Sequence, residues 1–166
     1  ISLYRNIFLK NKNQNKNQKK FFISRKDATN RLIENEDQII NFLSKHNFSI
    51  LTLSGKSLKQ QVDLFSSSQM IISMHGAALT NLLFVPSGAT IIEITGNFLM
   101  SDQDWISEKN STEHNQSTRS MYNYIAAECN INHYYYFTKI STLNNKNVIN
   151  EHEKFTFSNL IIDESK

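Results

Sequence analysis

Ser73-Met74-His75-Gly76-Ala77-Ala78-Leu79-Thr80-Asn81-Leu82-Leu83-Phe84 follows directly on the apolar run Met70-Ile71-Ile72. That run reads as a short buried strand, so the chain passes from strand through one glycine-containing turn into a helix. Junctions of this kind hold anions. The first N–H groups of a helix lack intrahelical partners and carry the positive end of its dipole, while Gly76 lets backbone approach a ligand closely. The plainer reading of the same residues makes Gly76 a tight turn and His75 a satisfied core residue. The rest of the chain has to decide between them.

On either side, strand and helix patterns alternate. Phe21-Phe22-Ile23 is a short apolar strand, and a helix over residues 35 to 45 turns Ile39, Ile40, Phe42 and Leu43 inward. Ser49 to Leu53 is the second strand. Leu58 to Ser67 forms a helix with Ser57 as N-cap and Leu58, Val62 and Phe65 at helical spacing. Met70 to Met74 is the third strand, Ala77 to Phe84 the third helix, and Thr90 to Ile94 the fourth strand, entered through Pro86-Ser87-Gly88. A polar stretch over residues 97 to 118 precedes a helix from Thr118 to Cys129, a strand at Tyr134 to Phe137 and a final helix near Glu151 to Ile162. No repeat is present. The alternation predicts an α/β domain whose apolar strands form a parallel sheet covered by helices on both faces.

A chain of 166 residues is long enough for one well-buried core. Hydrophobic residues make up 39% and charged residues 20%, with no apolar run near the ~20 residues of a membrane span. No transmembrane segment is therefore expected. The chain opens at Ile1 without a charged and apolar leader, which suggests a fragment or processed product of something longer. One cysteine, Cys129, excludes an internal disulfide and a cysteine-only metal cluster. Residues 1 to 31 hold nine basic residues against Asp27, net +8, whereas the remainder carries nine basic and fourteen acidic residues, net −5. Much of the excess lies in Lys10 to Lys20, read as a solvated linker. No aromatic residue is interleaved there for base stacking, so nucleic acid is not expected as a partner. The expected division is 1–20, a basic polar linker with the end of a preceding helix, and 21–166, the ligand-binding domain.

Open parallel sheets bind ligands beyond the carboxyl ends of their strands. The first strand ends in Ser24-Arg25, the third in His75-Gly76, and the fourth carries Glu93. An arginine at one strand end beside an anion-binding helix start at another grips a diphosphate from two sides, because guanidinium geometry matches phosphate oxygens. Glu93 is a candidate acceptor for ribose hydroxyls. Each also has a structural alternative: Arg25 and Arg31 pairing with Glu34 or Glu36, and Glu93 as a partly exposed strand residue. No Gly-x-Gly-x-x-Gly or Walker-type loop is present, which counts against other nucleotide-binding Rossmann proteins. His114, His133 and His152 lack metal-ligand clustering.

The segment 21–36, Ser57 with Gln61, the run His75 to Phe84, Pro86, Gly88 and Ile92-Glu93 together resemble the C-terminal part of glycosyltransferase family 61. The resemblance covers about residues 19 to 162 and is specific because several separated motifs occur in order. The family includes plant xylan-decorating transferases, animal O-linked N-acetylglucosaminyltransferases of the secretory pathway and bacterial capsular-polysaccharide proteins. It implies one Rossmann-like half of an inverting GT-B enzyme, the half that holds the sugar nucleotide.

By that resemblance Arg25 and Arg31 lie near the diphosphate, His75, Gly76 and Ala77 form the phosphate-facing turn, and Asn81 and Glu93 contact the nucleotide. Asn35-Glu36 orient the arginines, and His75 is the candidate catalytic residue, as general base or as a donor to phosphate. The implied activity is metal-independent glycosyl transfer with no cofactor, from a UDP-sugar donor to a glycan or protein acceptor. Asp102-Gln103-Asp104 has the Asp-x-Asp spacing but lies in the polar stretch, not at a strand end. The acceptor-side N-terminal domain of the same polypeptide is expected to precede Ile1. A bacterial protein of this kind would be cytoplasmic and a eukaryotic one lumenal. The competing reading is a non-catalytic remnant or nucleotide-binding module that kept the fold only.

Overall fold

The computed structural model describes residues 1–10, 19–96, 120–140 and 160–162. Six strands form one sheet in the order β2-β1-β3-β4-β5-β6: β1 Lys19–Ile23, β2 Phe48–Leu51, β3 Ser68–Met74, β4 Thr90–Gly96, β5 Asn132–Ile140 and β6 Leu160–Ile161. The first five are parallel, and β6 adds antiparallel to β5. This is the doubly wound, Rossmann-like architecture expected from the alternating pattern.

Strand side chains alternate between two cores. Phe21, Ile23, Ile71 and Ile91 enter one, packed under α1 (Ser2–Leu9), α3 (Leu58–Phe65), the 3-10 helix Ala77–Phe84 and α4 (Ser120–Glu128). Phe22, Met74 and Ile94 enter the other, with Ile39 and Leu43 of α2 (Glu36–Lys45) and with Ile33 and Leu160. Burial of such side chains contributes about 1.5–3 kcal/mol each, which is why the period-two pattern fixes the register. The Ser57 cap of α3 forms in full: its hydroxyl accepts from the Gln60 N–H while the Gln60 side chain accepts from the Ser57 N–H. Among the described residues no helix is long and apolar enough to cross a membrane.

Several expectations are corrected. Phe42 and Leu58 face solvent, 59% and 54% exposed, because the buried stripes of their helices run through Ile39 and Leu43 and through Val62 and Phe65. Lys19 and Lys20 open β1 instead of belonging to a linker, since their backbone pairs with β3. Leu160 and Ile161 form a strand, not the end of a helix: Leu160 donates to the Leu32 carbonyl and accepts from the Glu34 N–H. The expected linker over 11–18, the polar stretch 97–118 with its Asp102 and Asp104, and the start of the final helix lie outside the described residues.

The third helix is present but is 3-10 in form. Leu79, Leu82 and Val85, three apart, are all fully buried. With three residues per turn such positions stack on one line, and the deepest burial follows that line. The six other residues of the helix all line a cleft.

Candidate functional site: a cleft at the switch point of the sheet

In the order 2-1-3-4-5 the connections after β1 and β3 leave to opposite sides of the sheet, which opens a crevice beyond their carboxyl ends. A cleft of about 480 Å³ occupies that place. Its walls are Ile23, Ser24 and Arg25 at the end of β1, Ser54 after β2, Gln61 of α3, and Met74, Gly76 and the 3-10 helix at the end of β3. Thus Arg25, Gly76, Ala77 and Asn81, named from sequence on separate grounds, come together around one cavity. Asn81 is buried and donates to Gln61 Oε1 at 2.9 Å and to the Ala78 carbonyl at 3.1 Å. Asp27, on the same wall, accepts the Ser54 N–H at 3.1 Å and is held below the usual carboxylate pKa chiefly by its bonds to Ser54.

Arg31 and His75 stand beside this cleft and share the lining of a small hollow with Met74. A Cβ placed on Gly76 would lie 3.9 and 4.0 Å from the two terminal nitrogens of Arg31, so that guanidinium sits against the turn where a phosphate would dock. Arg25 is half-buried. Burial first, and then the charge of Arg31, hold its pKa below the ordinary guanidinium value. Two neighbouring cations repel, and an anion between them removes that cost. Neither pairing foreseen for Arg25 occurs through its guanidinium. Glu36 accepts the Arg25 backbone N–H at 2.8 Å, while the side chain donates to the carbonyls of Asn30 and Arg31. Asn35 is used elsewhere, exchanging two hydrogen bonds with the backbone of Ile162.

Glu93 is neither a partly exposed strand residue nor at the cleft surface. It is 0% exposed, and its carboxylate is shared between His75 Nδ1 and, at 2.9 Å, His133 Nε2. Register explains the grouping: Ser73 pairs with Glu93, and Ile91 with His133, so alternation puts His75, Glu93 and His133 on one face of three adjacent strands. Tyr122 of α4 closes over them, its ring edge-on to His75 at 5.2 Å. Burial, and next the Glu93 charge, raise the Tyr122 pKa. His133 Nδ1 is buried without a hydrogen-bond partner among the described residues. The tautomer protonated on Nε2 therefore fits, since it donates to Glu93 and leaves a lone pair, not an N–H, in the dry position. Glu93 thus meets the site through His75, whose ring it orients.

Burial raises the Glu93 pKa, but the hydrogen bonds and charges of His133 and His75 outweigh it, and the net direction is downward. A carboxyl lowered in the folded state contributes stability that is complete above its ordinary value of 4.5 and is lost as pH falls through the folded value. Thermal unfolding from pH 7 downward should show little Glu93-dependent change to about that point and a decline below it. In Glu93→Gln this part of the acid-side decline should be missing.

Comparison with known proteins identifies the family. The family model for Glycosyltransferase 61 matches residues 1–92, a range that takes in α1 and ends inside β4. The Xenopus laevis protein O-linked-mannose beta-1,4-N-acetylglucosaminyltransferase 2 is 39% identical over 71 residues, covering 40% of this chain. The Homo sapiens protein of the same name is 39% identical over 69 residues, 39% of this chain. The Danio rerio one is 34% identical over 73 residues, 42% of this chain. In each case the match spans 12% of the relative's own length. With more than half of its residues matched by the family model, over the strands that build the cleft, this chain belongs to glycosyltransferase family 61.

Proposed function

We propose that this chain binds a nucleotide-sugar donor, a UDP-sugar, in the cleft between the ends of β1 and β3, and that the diphosphate lies at the turn before the 3-10 helix. The supporting observation is convergence. Arg25 and Gly76 line one cleft and the Arg31 guanidinium lies against Gly76 at the amino end of a helix, at the sheet position where open α/β folds take ligands. The activity that the relatives are named for, N-acetylglucosaminyl transfer to O-linked mannose, makes N-acetylglucosamine the first donor sugar to test.

His75 is the proposed catalytic group. Its Nδ1 is held by Glu93, which leaves Nε2 to act: as the neutral ring it takes the acceptor's proton, and as the imidazolium its Nε2–H donates to the departing diphosphate. Transfer itself, inverting and metal-independent, is proposed for the polypeptide in which an acceptor-side N-terminal domain accompanies this one. The acceptor is a glycan or protein.

Calorimetric titration with UDP in the presence of EDTA tests the donor reading. The expected result is weak saturable binding that EDTA does not abolish, because the Arg31 guanidinium and the helix start meet the diphosphate charge without a divalent ion. Binding that requires Mn²⁺ or Mg²⁺ would redirect attention to Asp102 and Asp104. No nucleotide binding by the folded chain would reject the site.

A further inference from the structure

We propose that Arg25 is a positioning residue whose guanidinium holds the β1–α2 loop so that Arg31, not Arg25, delivers the cation to the diphosphate. The inference rests on the reading of the cleft as a diphosphate site. It starts from an outlier: Arg31 has φ of 52°, a left-handed backbone that a long side chain rarely adopts. Conformations of this kind persist only where surrounding contacts impose them.

The loop between β1 and α2 is fixed at both ends. At its start the Arg25 N–H donates to Glu36, a buried residue in the first turn of α2. At its end the Leu32 carbonyl and the Glu34 N–H are taken by Leu160. Between these anchors lie Asn30 and Arg31, and their carbonyls are the acceptors of Arg25 Nη2 at 2.9 Å and Nε at 3.4 Å. Arg25 therefore spends two of its three guanidinium nitrogens on the peptide units flanking the left-handed residue. The outcome is a single placement of Arg31, with its terminal nitrogens beside Gly76. After burial, the charge of Arg31 is the next cause that lowers the Arg25 pKa, which accords with the two guanidinium groups lying close together.

A double-mutant cycle separates positioning from direct contact. Affinity for inorganic diphosphate and for UDP is measured on the full chain, on Arg25→Ala, Arg25→Lys and Arg31→Ala, and on the Arg25→Ala/Arg31→Ala pair, with folding checked by circular dichroism. Arg31→Ala should lose at least tenfold in affinity. Arg25→Ala should lose a comparable factor, but the double variant should be no weaker than Arg31→Ala alone, since Arg25 acts through Arg31. Arg25→Lys keeps the charge but cannot donate from two fixed nitrogens to two carbonyls, so it should behave like Arg25→Ala.

Additive losses, or full affinity in Arg25→Lys, would mean that Arg25 touches the anion itself and would overturn the proposal. So would unchanged affinity in Arg31→Ala, or failure of the unmodified chain to bind diphosphate at all. Should Arg25→Ala not fold, the Arg25→Lys comparison carries the decision alone. Binding of diphosphate but not UDP, with the cycle non-additive, would reject the nucleotide reading and sustain this one.

Discussion

Glu93→Ala should lower the free energy of unfolding by about 3–5 kcal/mol, the range for removing one partner from a buried charged network. At roughly 2–4 °C per kcal/mol for a chain of this size, Tm should fall by about 10 °C. Three effects combine. The substitution opens a cavity under α4; it removes the buried charge that two imidazoles share; and it leaves His75 Nδ1 and His133 Nε2 without an acceptor. Differential scanning calorimetry on folded protein measures it. If Glu93 instead met the nucleotide directly, Tm would hold and only ligand affinity would change, so the two readings give opposite signatures.

Arg31→Gly carries the second large effect, and its two consequences point in opposite directions. Removal of the guanidinium beside Gly76 should weaken UDP binding about ten- to a hundredfold, from the roughly 1.5–3 kcal/mol of a hydrogen bond to a charged group. Glycine also adopts the left-handed backbone at φ 52° without steric cost, so stability should stay level or rise by up to ~1 kcal/mol. A variant that is at once as stable and much weaker in binding marks a residue held under strain for a ligand. Equal losses in both would mean that Arg31 is part of the scaffold.

The parts of the fold that sequence revealed were those governed by local pattern. Met70 to Met74 and Thr90 to Ile94 are apolar runs with turn residues between them, and the β3–turn–helix junction follows from that alone. The 3-10 form of the Ala77–Phe84 helix was not legible, because a segment apolar at six of eight positions shows no clear period until the core selects Leu79, Leu82 and Val85. Leu160 was misplaced in a helix for a related reason. Its partners, Leu32 and Glu34, are remote in sequence, and a two-residue strand is too short to show alternation.

At the candidate site, Arg25 and Gly76 were legible as residues at strand ends, and the structure brings both to one cleft. His133 was missed. It was weighed only as a metal ligand, whereas its role depends on the β4–β5 register, which pairs it with Ile91 and brings it to Glu93, 40 positions away in the chain. One signal was available: Glu93 stands inside Ile91-Ile92-Glu93-Ile94, and a carboxylate in such a run requires a buried partner. The left-handed turn at Arg31 left no mark in the sequence, since neither glycine nor asparagine stands at that position.

The most direct test of the donor site is a UDP titration of the isotopically labelled chain followed by amide NMR. Binding at the switch point predicts the largest shifts at Arg25, Gly76, Ala77, Ala78 and Asn81, with the opposite end of the sheet, Lys19, Ser68 and Thr90, unmoved. Shifts confined to that opposite end, or none at saturating UDP, would contradict it.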